Sequence, residues 1–156
     1  MSISPYQYRI LTQSLAVVRP NFHCFCVSLR TQVSHFQLNN ALITKTEYAY
    51  QQEDGLFRFI HQCVGLTLDH PALVHFISAQ AKLLKSIEIS ERDICVICNC
   101  FLSTMQLHLG KQYTLAMRNA WRRLLHIIAN ILNHELHGRN NVVSLVEHKS
   151  KKTQAC

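Results

Sequence analysis

The chain has 156 residues with only four glycines and three prolines. That length suits one domain whose core needs no disulfide or metal staple, and that composition favours long helices over sheets. Sixteen Lys and Arg against nine Asp and Glu give a formal charge of +7, but they are scattered from Arg9 to Lys152 with no run longer than Lys151-Lys152, which does not favour nucleic acid as a partner. No segment approaches the roughly 20 apolar residues of a membrane span and no basic-then-apolar leader opens the chain, so the seven cysteines are expected as reduced thiols in the cytosol.

In chain order, "SISPYQYRILTQSLAVV" opens a first helix: Ser4 is the N-cap, Pro5 the first helical residue, and Gln7 completes a capping box. Ile10, Leu11, Ser14, Leu15 and Val18 follow at helical spacing. Pro20 is expected to start a second helix with Phe22, Phe25, Cys26, Leu29 and Val33 inward, and "SHFQLNNALITKT" to be a turn-rich connection. A third helix is expected over about 47–66, with Leu56, Phe59, Ile60 and Cys63 on one side. Asp69-His70-Pro71 caps a fourth, running to about Ser86 with Leu73, Phe76, Ile77, Gln80 and Leu84 spaced by three or four.

Ser90 and Asp93 form another capping box, opening a helix that carries Ile94, Ile97, Phe101 and Met105 and ends at Gly110. Thr114 caps a last helix through about His137, with Met117, Trp121, Leu124, Ile128 and Ile131 inward, and Gly138 is its expected stop. The organisation expected is one domain over 1–138 and a flexible basic tail over 139–156.

Three clusters invite a metal reading. Residues two apart on a helix diverge by about 200°, so neither Cys24 with Cys26 nor Cys98 with Cys100 can chelate one ion. His134 and His137 share a face but lack a third ligand, so no metal site is expected.

Six or seven helices, a short connection after the second, and a last helix opening "LGKQYTLAMRNAW" together resemble the globin family, closest to the haem domain of flavohaemoglobins and to single-domain bacterial haemoglobins. The likeness spans about 4–137 and rests on Ser4, Gln7, Ser14, Pro20, Gln52, Pro71-Ala72, Leu109-Gly110, Thr114 and Ala120-Trp121 at shared spacing. It implies an all-α, globin-like fold. In that family a histidine near the end of the helix before the Ser90 cap holds the haem iron. The position 32 residues after Gln52 and 37 before Trp121 is Leu84. The nearest histidines, His75 and His108, lie nine residues before it and twenty-four after.

By the same resemblance the distal tyrosine falls at Ser28, the porphyrin-stacking phenylalanine at Leu42, and the proximal histidine's tyrosine and glutamate partners at Ile94 and Leu136, with Glu135 one position away; only Gln52, at the distal glutamine position, is kept. Gln52 reads equally as a surface glutamine near a helix start. Leucine has no lone pair for iron, and aliphatic residues at 84, 42 and 94 suit a cavity filled by side chains. Losing the ligand together with its polar partners is self-consistent, since an unmatched buried hydroxyl or carboxylate costs about 1–3 kcal/mol.

The function expected is a binding or sensory module without conventional haem ligation, not an enzyme and with no cofactor, acting through a protein partner, a second copy of itself or an apolar small molecule. The candidate pocket is Ser28, Leu42, Gln52, Leu56, Leu84 and Ile94. The rival is a haem protein of unusual ligation, with Gln52 or a displaced His61, His75 or cysteine near the iron, binding oxygen or nitric oxide. Nitric oxide dioxygenation would then need a separate reductase. A basic helical bundle binding nucleic acid through Arg118, Arg122, Arg123 and the tail is the third reading.

Overall fold

The computed structural model describes residues 2–36, 49–85 and 88–155, with side chains throughout except at 49–52 and 139–155. Six α-helices account for most of it: α1 Pro5–Val18, α2 Phe22–Ser34, α3 Ala49–Gly65, α4 His70–Leu84, α5 Glu91–Leu109 and α6 Leu115–Ala155. The described residues contain no strand, so the fold is all-α. Short 3-10 turns at Arg19–Asn21 and Gly110–Gln112 join α1 to α2 and α5 to α6.

Local chemistry sets most helix starts. The Ser4 hydroxyl accepts from the Gln7 N–H while the Gln7 side chain accepts from the Ser4 N–H, both at 3.1 Å. Ser90 and Asp93 repeat this reciprocal pair at α5, at 3.0 and 3.1 Å. Asp69 caps α4 through the Ala72 N–H, and Thr114 caps α6 through the Met117 N–H, both at 3.2 Å. Each cap contributes about 1 kcal/mol. A fully buried leucine, isoleucine or phenylalanine contributes about 1.5–3 kcal/mol, and Leu11, Phe25, Leu73, Ile77 and Leu124 all have no solvent exposure. Caps therefore fix where the helices begin, and packing holds them together.

α6 packs on α1, α4 and α5; α2 packs on α5; and α3 touches α1, α2 and α4. A run of ring contacts crosses the core from α3 to α6. Phe57 meets Phe22 edge-on at 5.0 Å, Phe22 stacks on Phe25 at 5.3 Å, Phe25 meets Phe101 at 5.1 Å, and Phe101 meets Trp121 at 5.5 Å. These separations lie in the favourable range for aromatic pairs. The Trp121 indole N–H donates to the Ser14 hydroxyl at 2.7 Å, and that hydroxyl donates to the Leu11 carbonyl at 3.1 Å. Both side chains are fully buried, which pins α1 to α6 at one polar point.

Two boundaries differ from the sequence expectation. Pro20 sits inside the 3-10 turn rather than at the start of α2, because Asn21 (φ −115°, ψ 30°) breaks the path and Phe22 begins the α-helix. α5 ends as expected at Gly110, whose φ of +52° favours a residue without a Cβ. α6 does not stop at Gly138. Its helical backbone continues to Ala155 past a single non-helical residue, His137 (φ −132°, ψ 16°), whose ring bonds the Ile89 carbonyl at 2.9 Å. The expected connection over "SHFQLNNALITKT" lies mostly outside the described residues.

Candidate functional site

The residues singled out in the sequence occupy several environments. Ser28 is half-buried on α2, and its hydroxyl shares a 2.8 Å hydrogen bond with His108 Nε2 of α5. The His108 ring lies 5.6 Å from that of Phe25. Leu56 is half-buried against the core. Leu84 is the half-buried last residue of α4. Ile94 is buried near the start of α5 but, like Ala81, stands outside the contiguous core cluster. Leu42 and the Gln52 side chain lie outside the described residues.

His61 is exposed, with its ring 5.8 Å from Phe57, and His75 is exposed on α4. Glu135 accepts from the Ser78 hydroxyl at 3.0 Å, which ties it to α4. His134 is exposed while His137 turns to Ile89, so the two imidazoles make different contacts. Among the described residues no group of three His, Cys, Asp or Glu side chains is placed to hold a metal ion. No described helix is long and apolar enough to cross a membrane.

Glu53 is the polar centre that sequence reasoning missed. It is buried at 8% exposure, one residue past Gln52. Its Oε2 meets His23 Nδ1 at 2.9 Å and its Oε1 accepts from Arg30 Nη1 at 3.0 Å. His23, Cys26 and Arg30 are spaced by three and four on α2, so they form one stripe facing α3. Burial pushes the Glu53 carboxyl up, but the hydrogen bonds from His23 and Arg30, with their charges, outweigh it and hold the group below its usual 4.5.

The same carboxylate acts on its neighbour. Burial first, then the Glu53 charge, push the Cys26 thiol to about 12, which Arg30 only partly offsets. Burial alone pushes Cys63 to about 12 and Cys98 to about 11. These thiols stay protonated near neutral pH and are poor nucleophiles and poor metal ligands. The Glu53 centre is thus an ionised clamp joining α2 to α3, built from groups far apart in sequence.

A groove of about 320 Å3 opens between α4 and α6. Val74, Ile127 and Ile131 give it apolar walls, and His70, Asn130, His134 and Glu135 give it polar ones. Ser28, Leu56, Leu84 and Ile94 are not among its lining residues. No family model matches the chain, and no curated protein matches it.

Proposed function

We propose that this chain is a globin-type helical domain that has given up iron-bound haem and works as a protein-binding or sensory module. The observation that carries the reading is Leu84, an aliphatic residue at the end of α4, 32 residues after Gln52 and 37 before Trp121. The globin resemblance assigns that position to the axial histidine. The order of six helices, the short 3-10 link between α1 and α2, and the buried Ser14–Trp121 bond between first and last helices support the globin-type arrangement.

The side chains present do not fit iron-bound haem. Leu84 has no lone pair to donate. The Ser28 hydroxyl, at the position of the distal tyrosine, is engaged by His108. Ile94 is aliphatic and buried where the resemblance places a tyrosine. His61 and His75, the alternative nitrogen donors, are exposed. The buried carboxylate of the region, Glu53, is consumed by His23 and Arg30. With no step of oxygen or nitric oxide chemistry assigned to these residues, the surface is left as the working part, and a fold of this kind does not by itself dictate use.

The absorption spectrum of the purified chain, with its iron content, tests the reading. The expected result is no Soret band and iron far below one per chain. A Soret band with one haem per chain would overturn it in favour of a haem protein with unusual ligation.

A further inference from the structure

On the reading of the chain as a protein-binding module, we infer that the outer row of α6 and the α4/α6 groove together dock an acidic, extended segment of a partner protein that carries an aliphatic residue at one end.

Arg118, Arg122, His126, Asn130 and His134 follow one another at intervals of four along α6, and all five are exposed. Side chains at this spacing form an oblique ridge across a helix surface. At 1.5 Å per residue the ridge runs about 24 Å. It ends in the groove, where Asn130 and His134 line the wall opposite His70, beside Val74, Ile127 and Ile131. Every side chain of the ridge can donate a hydrogen bond, and the arginines present planar forks suited to carboxylates.

Arg118 and Arg122 lie in a stretch poor in carboxylates. Residues 94–134 contain no Asp or Glu, nor does any of α1, α2 or α4. The carboxylate among the groove's lining residues, Glu135, accepts from the Ser78 hydroxyl and keeps its charge, so the acidic part of the segment lies along Arg118 and Arg122 and its aliphatic end at the groove. Among the described residues neither Arg118 nor Arg122 is in an ion pair with a carboxylate. Arg123 beside them donates to the Ser2 carbonyl at 3.3 Å.

Spacing and shape select the occupant. Successive ridge positions rise about 6 Å along the helix, and alternate side chains of an extended peptide stand about 6.5 Å apart, so every second residue of such a peptide can meet one donor. The apolar groove wall then takes an aliphatic side chain. A nucleic-acid strand fits less well. The ridge has no Phe, Tyr or Trp on which a base could stack and only two permanent cations for phosphates.

The test uses the full chain and a fluorescein-labelled peptide of alternating Glu and Ser ending in Leu, read by anisotropy and by backbone amide shifts. Binding with shifts confined to α6 and the groove is expected. Arg118→Glu with Arg122→Glu, both at exposed sites, should weaken it by about tenfold or more. Asn130→Trp, which places a ring at the groove wall from an exposed position, should do the same. Far-ultraviolet circular dichroism confirms that both variants are folded. No binding at about 1 mM peptide, equal binding by the Arg118→Glu/Arg122→Glu variant, shifts elsewhere, or tighter binding of an equally charged oligothymidylate would each overturn the inference. Those outcomes leave the spectrum of the purified chain unchanged, so failure here and failure of the haem-free reading are read separately.

Discussion

Replacing Ser14 with alanine removes the hydrogen-bond partner that the Trp121 indole N–H has among the described residues, at a point where both side chains are fully buried. The Leu11 carbonyl that Ser14 also contacts belongs to α1 and keeps its helical role, so the loss falls on the indole. Stranding one neutral donor costs about 1–3 kcal/mol, and deletion of a single oxygen leaves almost no cavity to add to it. For a domain of about 150 residues that is a fall in Tm of about 2–12 °C. Trp121 is the sole tryptophan, so urea unfolding can be followed by its emission for the wild type and Ser14→Ala. Circular dichroism completes the cycle with Trp121→Phe and the double variant. In the Trp121→Phe background the Ser14→Ala cost should shrink by about 1 kcal/mol, because no donor is left to strand. A Ser14→Ala loss under about 0.5 kcal/mol, or no coupling, would refute this bond as the pin between α1 and α6.

Glu53→Gln should cost about 1–2 kcal/mol near neutral pH, most of it from Arg30, whose side chain is 22% exposed, and less from His23 at 58%. Because the folded carboxyl sits below 4.5, this stability is complete above that value and is lost as pH falls through the folded pKa; an equal gap in urea midpoint near pH 7 and near pH 3 would show that ionisation of Glu53 is not its source. Gly110→Ala should cost about 1–2 kcal/mol from backbone strain alone, since a Cβ there meets nothing within 4 Å; an unchanged melting temperature would contradict that. Iodoacetamide near neutral pH should label exposed Cys24 in the native protein and reach Cys26 and Cys63 only after unfolding. Peptide mass spectrometry reads the sites, and native labelling of Cys63 at the Cys24 rate would count against the buried thiols described here.

The helices were readable because their signals are local. Ser4 with Gln7 and Ser90 with Asp93 each lie within four residues, and the inward series of α1 and α2 is buried throughout at helical spacing. The end of α6 was less readable. Gly138 looks like a stop, but the bend at His137 accompanies a bond to Ile89, 48 residues away, and the helix resumes. Distance along the chain also hid the polar centres. Glu53 draws on partners 23 and 30 residues away, and Ser28 meets His108 across 80 residues. Helical spacing does place Glu53, three before Leu56 and seven before Ile60, on the inward stripe that its exposed neighbour Asp54 leaves, but that spacing does not reveal the partners on α2 that keep it charged there. The groove between α4 and α6 likewise arises from packing two helices whose own patterns show only amphipathic faces.

Hemin titration of the full chain, followed by absorption and magnetic circular dichroism, tests most directly whether a leucine at 84 leaves iron without a protein donor. The account predicts weak, non-saturating uptake and spectra unaffected by His61→Ala or His75→Ala. Saturation at one hemin per chain with low-spin ligation bands that either substitution abolishes would contradict it.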